Sequence, residues 1–369
     1  MTKAAELAKM GEVLTNSQIG GRRNILINGA MQVAQRATSF SNVSNADYTL
    51  DRFKSGSSGT ELVYNIDQST DTPNGFGNSY KVTIGTAEST LSSGDNLTIQ
   101  THFEGQDLQS IKKGTSDAEK VTVSFFVKSS VASTYSLELF DRDNTRVHGQ
   151  KYTINSANTW EKKSITFDAD TTGTFDDDNA KSLDLTFWLD AGSEYTSGTQ
   201  STTWQSNTAS ERVEQATGFM TTASATFFIT GIQIEVGSVA TPFEHRSFGD
   251  ELALCQRYYA VVAHGASSQD GTSHPVSMGA MYNSSTLYSN LELPCDMRTT
   301  PTLEIVSATG YYTFYRNGGG DAVDDFALTK WGTRVLEFYN NSDISGTAGH
   351  AGFIRTSNSA AKFAVTAEL

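Results

Sequence analysis

The side chains that could do chemistry are scattered histidines and acidic loops, and neither forms a known catalytic pattern. The chain has no Gly-x-Ser-x-Gly nucleophile elbow, no phosphate-binding loop and no His-Glu-x-x-His zinc motif. The nearest pair of its six histidines, His264 and His274, lies in a Gly- and Ser-rich stretch. Glycoside hydrolysis needs two carboxylates held a few ångströms apart, which 41 acidic residues could supply by chance. We therefore predict no catalytic residues and no enzyme activity.

Two acidic segments are the candidates for a metal site. Asp141-Arg-Asp-Asn144 resembles the start of a calcium-binding loop, but its sixth position is Arg146 rather than Gly and its twelfth is Tyr152 rather than Glu. Asp176-Asp-Asp-Asn179 is more acidic, yet three adjacent carboxylates cannot point one way in a strand. A solvated turn is the better interpretation, so no metal ligand is predicted.

Aromatic side chains offer a different chemistry, because the faces of sugars stack on exposed Trp and Tyr rings. Tyr195 and Trp204 lie in the Gly-, Ser- and Thr-rich stretch 191–210, where they could form a sugar platform or pack over the edge of a sandwich. Trp160 lies in a strand-like segment, which favours a place in the core.

A second aromatic group lies towards the C-terminus. In the segment 311–315, Tyr311, Thr313 and Tyr315 alternate with Tyr312 and Phe314, so one set must face the core. The other set would be unusually aromatic for solvent, which indicates a ligand surface or a subunit interface. The predicted glycan or receptor contacts are Tyr195, Trp204, Tyr282, Tyr288, Tyr311, Tyr312 and Trp331.

Alternation of apolar and polar residues dominates the chain from residue 24 to about residue 246. The segments 121–127 and 183–189 both place Val, Leu or Phe at every second position. Many short strands separated by turns, without helical patterns between them, predict an antiparallel jelly roll or β-sandwich. Trp188 and Phe126 fall on the faces opposite these apolar rows, where solvent or a neighbouring subunit is expected.

A capping box marks the boundary of a second β segment. Ser247 and Asp250 have its spacing and predict a short helix over 248–259. We therefore predict a mainly β protein with a short N-terminal helix, a jelly roll and a smaller C-terminal β-sandwich. The predicted domains are 1–22, 23–248 and 249–369. Strands of the last domain are predicted at 302–306, 311–315 and 334–339.

Two segments carry a resemblance to a known family. Residues 24–36 (Asn-Ile-Leu-Ile-Asn-Gly-Ala-Met-Gln-Val-Ala-Gln-Arg) and 231–246 (Gly-Ile-Gln-Ile-Glu-Val-Gly-Ser-Val-Ala-Thr-Pro-Phe-Glu-His-Arg) resemble segments of tail fibre and appendage proteins of tailed bacteriophages, especially marine and cyanobacterial phages. The match continues through 48–53 and 251–259. In that family the two segments bracket a jelly roll like a carbohydrate-binding module. The resemblance therefore implies a virion fibre, and it allows a structural calcium ion without locating it.

The N-terminus predicts a helix over residues 2–16, in which Leu7, Met10 and Leu14 form one stripe. So short a helix is marginally stable alone, so the stripe must be buried against something. It could dock on its own jelly roll, self-associate or insert into a virion adaptor. Together with the resemblance, the stripe predicts attachment to the virion through Leu7, Met10 and Leu14, and a homotrimer.

Composition excludes several classes of partner. The net charge of −14 argues against nucleic-acid binding, which depends on Lys and Arg neutralising phosphates. No run approaches 18 apolar residues, so no membrane insertion is predicted, and residues 1–16 lack the apolar core of a signal peptide. Cys255 and Cys295 provide neither a disulfide framework nor metal-ligand spacing.

The leading hypothesis is a virion fibre protein, made in the host cytoplasm, that attaches through its N-terminus to a phage tail or adaptor protein. It would contribute to adsorption by contacting a host-surface glycan or receptor. We expect this contact within 260–369, where Gly-, Ser- and Asn-rich loops accompany the aromatic residues. That region could instead only close a trimer. Alternatives for the whole chain are a structural head fibre or capsid decoration protein, and a glycan depolymerase.

Overall fold

A computed structural model describes residue 3, residues 23–43, residue 45 and residues 47–369. The chain divides into two compact units: the first ends at Phe248 and includes Leu369, and the second covers Gly249–Glu368. The predicted N-terminal helix, with Leu7, Met10 and Leu14, lies outside the described residues. Within the described part of the chain, no helix is long and apolar enough to cross a membrane.

The first unit is built from two six-stranded sheets. Its strands are β1 (Ser39–Phe40), β2 (Lys54–Ser58), β3 (Val63–Ser69), β4 (Ser79–Thr86), β5 (Asn96–Glu104), β6 (Val121–Ser129), β7 (Thr134–Asp141), β8 (Arg146–Thr153), β9 (Glu161–Phe167), β10 (Lys181–Ala191), β11 (Gln205–Ser206) and β12 (Thr226–Val236). One sheet has the order β1-β3-β4-β12-β6-β9 and the other β11-β8-β7-β10-β5-β2. A one-turn helix, α1 (Ser193–Thr196), follows β10, and 3-10 turns lie at Gly105–Asp107, Gln109–Ile111 and Ala209–Glu211.

The two sheets share one hydrophobic core, as the alternation predicts. Along β6 the side chains of Val123, Phe125 and Val127 are fully buried, and along β10 those of Leu185 and Phe187 are too. Phe125 and Phe187 meet edge to face with ring centroids 5.1 Å apart, which joins the two sheets. The predicted antiparallel jelly-roll or sandwich fold is therefore confirmed.

The two segments that carry the family resemblance meet in this unit. The Asn24 side chain accepts a hydrogen bond from the Ile234 backbone N–H at 3.0 Å and donates one to the Ile232 carbonyl at 3.1 Å. Glu244 accepts from the Asn24 backbone N–H at 2.7 Å, and the Arg246 guanidinium donates to the Asn24 carbonyl. Because these groups are largely shielded from water, each pairing avoids an unsatisfied polar atom. The motif residues thus hold the start of the jelly roll against β12.

A bulge in β12 explains the glycine that opens the second motif. The register of β12 against β6 shifts between Thr230 and Gln233, and Gly231 there has a φ of +61°. A Cβ at Gly231 would lie 2.5 Å from the ring of Phe76. Both the backbone conformation and the close ring therefore require glycine at this position.

The second unit is smaller and also antiparallel. Its strands are β13 (Tyr259–His264), β14 (Pro275–Met281), β15 (Leu287–Glu292), β16 (Thr302–Val306), β17 (Tyr312–Arg316), β18 (Gly319–Ala322), β19 (Ala327–Trp331), β20 (Val335–Asn340), β21 (Ala351–Thr356) and β22 (Lys362–Thr366). A three-stranded sheet has the order β13-β22-β16, and a seven-stranded sheet has the order β18-β17-β21-β14-β15-β20-β19. A 3-10 turn lies at Gly265–Ser267. The strands predicted at 302–306, 311–315 and 334–339 correspond to β16, β17 and β20.

The predicted helix over 248–259 is present as α2 (Phe248–Gln256). It ends earlier than predicted because Tyr259 already begins β13. Within α2 Cys255 is fully buried, and so is Tyr259 at the start of β13.

Candidate functional site

The outer face of the seven-stranded sheet carries an unusual set of side chains. On β15, Leu287, Ser289 and Leu291 are buried while Tyr288 and Asn290 alternate to the other side. The neighbouring strands repeat this pattern, so aromatic and methionine side chains gather on the side away from the core. We call this surface the outer aromatic face and define it by Met278, Ala280, Tyr288, Tyr315, Tyr339, Ala351 and Phe353.

One ring pair on this face joins β15 to β20. Tyr288 and Tyr339 are direct cross-strand partners, and their ring centroids lie 6.0 Å apart with planes tilted by 33°. Tyr282, which is 73% exposed, meets Tyr288 edge to face at 5.6 Å. Cross-strand contact with a neighbour restricts each ring, so little rotamer entropy remains to be lost when a ligand stacks on it.

A second ring pair joins β17 to β21. Tyr315 and Phe353 are cross-strand partners whose rings stack at 5.5 Å with planes 25° apart. The guanidinium of Arg355 lies 4.4 Å from the centroid of the Phe353 ring, a cation–π contact. Met278 is the partner of Phe353 on the next strand and is 75% exposed.

A shallow groove of about 990 Å³ lies beside the first ring pair, where Tyr282 and Tyr288 are the aromatic residues of its lining. Met278, Ala280 and Ala351 line it as well, whereas the Tyr315–Phe353 pair lies outside it. Among the described residues that line it, Lys330 and Glu337 are the charged ones, and they are cross-strand partners of opposite sign. Asn290, the partner of Glu337 on the other side, adds an amide. The groove thus combines ring faces with hydrogen-bonding groups, and its two charged lining residues have opposite signs.

The glycan or receptor contacts predicted for the second unit do not all lie on the outer aromatic face. Tyr282 and Tyr288 are at the outer aromatic face, whereas Tyr311 is half-buried against the core of the unit. Trp331 is 56% exposed on edge strand β19, where it pairs with the buried Leu336. It therefore stands at the sheet edge and not among the paired rings.

The prediction that Tyr312 contacts a glycan or receptor is wrong. Its side chain is fully buried, and its hydroxyl donates to the Val306 carbonyl at 3.1 Å. Burial raises the pKa of this phenol. The alternation in β17 turns Tyr312 and Phe314 to the core, and Tyr315 lies half-buried on the opposite side.

In the first unit, Tyr195 and Trp204 do not form a shared platform. Tyr195 packs on Trp188, with ring centroids 5.1 Å apart. Trp204 meets His148 edge to face at 5.7 Å, and its indole N–H donates to the Asp168 carbonyl at 2.8 Å. Of the two alternatives read from the sequence, packing over the sandwich is the one observed.

The expectation that Trp188 meets solvent or a neighbouring subunit is also wrong. Its side chain is buried beneath the segment that follows β10, where Val213 packs against it. The Arg212 guanidinium lies 4.8 Å from the indole centroid and donates to the Glu138 carboxylate at 2.8 Å. A long loop covers this sheet face, which strand alternation alone could not reveal.

Trp160 lies on the outer face of the other sheet and not in the core as predicted. It is only half-buried, and its indole N–H donates to Asp71 at 3.1 Å. The Lys128 ammonium lies 5.3 Å from the Trp160 ring centroid and 4.3 Å from that of Phe228. Phe126, also on this face, is half-covered by Phe76 at 5.3 Å.

The ammonium group of Lys113 lies beside the acidic loop 141–144, the segment that resembles the start of a calcium-binding loop. The Lys113 ammonium lies 2.5 Å from Asp141 and 3.1 Å from Asp170, and the Gly173 carbonyl accepts from it at 2.7 Å. Burial acts to raise the pKa of Asp170, but hydrogen bonds from Arg146 and Lys113 outweigh it and hold this pKa below its usual value. Among the described residues, no cluster of three His, Cys, Asp or Glu side chains could hold a metal ion.

The predicted contacts do not include the Tyr339 and Phe353 rings or Met278, and Tyr315 appears in the sequence analysis only as a member of one alternating set. Period-two alternation in 334–339 and 351–356 marks Tyr339 and Phe353 as facing away from the core. Which strands are neighbours, and in what register, decides that these rings pair, and that information is absent from local patterns.

No protein-family model and no curated protein matches this sequence. Solved structures similar to it include the enzymatically active domain of tailspike protein 4 of bacteriophage CBA120, at 10% identity and a TM-score of 0.29, over 53% of this chain and 21% of that one. TmCBM61 in complex with β-1,4-galactotriose is 8% identical with a TM-score of 0.30, over 58% of this chain and 99% of that one. A third similar structure is a family 11 carbohydrate-binding module from Clostridium thermocellum in complex with a β-1,3-1,4-mixed-linked tetrasaccharide. It is 14% identical with a TM-score of 0.29, and the match covers 55% of this chain and 98% of that one.

This chain thus spans about a fifth of the tailspike chain that it matches. The two sheets and their shared core define the jelly roll, and the outer aromatic face defines the candidate site.

Proposed function

We propose that this chain is a virion fibre protein of a tailed bacteriophage and that it binds host-surface glycan through the outer aromatic face. The virion part is supported by the motifs at 24–36 and 231–246. The glycan part rests on one observation, the two ring pairs Tyr288–Tyr339 and Tyr315–Phe353 on the outer side of a single sheet, where Phe353 is exposed and the three Tyr rings are half-buried.

The physical argument concerns what such a face needs. The apolar surface that Met278, Phe353 and the half-buried Tyr rings present to water is removed from water only when a ligand covers it. A sugar ring has an apolar face of C–H groups and a rim of hydroxyls. The rings of the outer aromatic face can stack on the C–H face of a sugar, and Asn290, Lys330 and Glu337 can form hydrogen bonds with its hydroxyls. The proposal includes no hydrolysis.

The virion arrangement completes the proposal. We propose that three copies assemble and that the N-terminus attaches them to a tail or adaptor protein. Deleting residues 1–22 should leave a folded protein that no longer enters virions, and light scattering should report a trimer. Labelling of purified phage particles with an antibody against this chain tests the virion location directly. Particles without label would refute it.

Glycan binding is tested with the full chain and isolated host-surface polysaccharide. Tyr288→Ala should weaken binding strongly, because the ring and its contact with Tyr339 are both lost. Trp331→Ala removes a more exposed aromatic ring, 56% exposed, from the edge of the same sheet and should bind like the parent. Equal losses in both variants would place the contact at the sheet edge instead. Reducing-sugar release in the same mixtures should stay at background; sustained release would identify a depolymerase.

A further inference from the structure

We propose that the outer aromatic face binds one extended, uncharged polysaccharide chain that spans both ring pairs, rather than a single terminal sugar. This inference rests on the proposed function and specifies its ligand. It follows from the strand order, the register and the charges of the seven-stranded sheet.

Strand order separates the two ring pairs. Tyr315 and Phe353 stand on β17 and β21, Tyr288 and Tyr339 stand on β15 and β20, and β14 lies between. The centres of the pairs are therefore three strand spacings apart, or about 14 Å at ~4.8 Å per strand. A sugar ring that stacks on one ring pair therefore cannot reach the other pair.

Register adds a displacement along the strands. Phe353 pairs with Met278 on β14, whereas Tyr288 pairs with Ala280, two residues further along. Two residues correspond to about 7 Å, so the centres of the pairs are separated diagonally by roughly 16 Å. That distance exceeds one sugar ring and requires an oligosaccharide of several units.

The surface between the pairs leaves a path for such a chain. Ala280 and Ala351 are cross-strand partners there, and their methyl groups rise little above the sheet. Met278 is longer, but its unbranched side chain is 75% exposed and can move aside. An extended chain can thus touch both pairs without crossing a barrier of fixed side chains.

The charges on and around the outer aromatic face favour an uncharged polysaccharide over an acidic one. Lys330 and Glu337 oppose each other across β19 and β20, and Arg334 lies 3.3 Å from Glu292. Arg355 is engaged with the rings of Phe353 and Tyr315. The two opposite-charge pairs cancel and the ring contacts do not neutralise Arg355, so these groups leave the face a single positive charge. The chain as a whole carries −14 and repels polyanions.

The closing experiment uses the full chain and defined probes. Binding of soluble β-glucan, xylan, galactan and mannan is compared with binding of alginate, an acidic polymer. For the polymer that binds, oligosaccharides of increasing length are titrated against the parent chain, Tyr288→Ala and Tyr315→Ala. Thermal unfolding verifies that each variant is folded.

Affinity should rise with length until the oligosaccharide reaches roughly 16 Å and then level off. With long oligosaccharides each variant should bind about tenfold more weakly, since each loses one stacking platform. Raising the salt concentration should change little, and alginate should not compete. Affinity that is independent of length, or a loss confined to one variant, would overturn the spanning chain while leaving glycan binding intact.

Other outcomes separate the two proposals further. Preference for alginate would overturn the uncharged ligand only. If no polysaccharide binds, including isolated host-surface polysaccharide, the proposed glycan function fails and this inference fails with it. If Tyr288→Ala and Tyr315→Ala instead reduce the mass measured by light scattering, the face is an interface between copies of this chain.

Discussion

The Lys113 cluster provides the sharpest test of how the first unit is held together. Lys113 has a side chain that is 1% exposed, and Asp141 beside it is fully buried. Lys113→Met preserves most of the side-chain volume but removes the ammonium that neutralises Asp141. Removing one partner of a buried ion pair costs about 3–5 kcal/mol, because the remaining charge is left without compensation. Asp170 suffers less, since Arg146 still donates to it at 2.8 Å.

Urea unfolding followed by tryptophan fluorescence is the assay. Trp160, Trp188 and Trp204 all lie in the first unit, so its transition dominates the signal. With an m-value of ~2 kcal/mol/M, the midpoint should fall by about 1.5–2.5 M.

The adjacent residue is a matched control. Lys112 pairs with Glu119 at 3.3 Å, but both side chains are about half exposed. Lys112→Met should therefore change the free energy of unfolding by less than about 1 kcal/mol. Adding Asp141→Asn to Lys113→Met should restore part of the lost stability, because the unpaired charge disappears. Equal midpoints for the two lysine variants would refute the reasoning.

Two further perturbations address other parts of the first unit. Gly231→Ala should lower the free energy of unfolding by at least about 1–2 kcal/mol, because the φ of +61° disfavours any residue with a Cβ and this Cβ would also clash with Phe76. Gly75→Ala is the control in the same urea titration: Gly75 has a φ of +94° but open space around it, so this variant shows the backbone cost without a clash. Burial lowers the pKa of His102 and of His148, so the unfolded chain takes up protons below about pH 6.5 while the folded chain does not. Stability should be full above that pH and fall below it, and a double Gln variant should show a smaller change between pH 7.5 and 5.5; an equal change would contradict the assignment.

The positions of individual strands could be predicted because their cause is local. Apolar residues at every second position of 121–127 and 183–189 must share a face, whichever strands lie beside them. The same argument correctly divided 311–315 into two faces. It could not say which face was the core, and Tyr312 was therefore placed wrongly among the contacts.

Local patterns failed where a distant segment decided the environment. Trp188 alternates away from its apolar row, as predicted, but the loop carrying Arg212 and Val213 covers it. Trp160 resembles a core residue by composition, yet it follows a turn and lies beside Lys128 and Asp71 on an outer face. In both cases burial depends on contacts between residues far apart in sequence.

Local sequence patterns are enough to predict a mainly β protein with a jelly roll, a short helix near residue 250 and aromatic residues towards the C-terminus. The pairing of Tyr288 with Tyr339 and of Tyr315 with Phe353 follows from the three-dimensional arrangement of the strands. Alternation depends on the geometry of one strand, whereas a binding face depends on strand order and register. Those are set by the packing of the whole unit, which no local pattern contains.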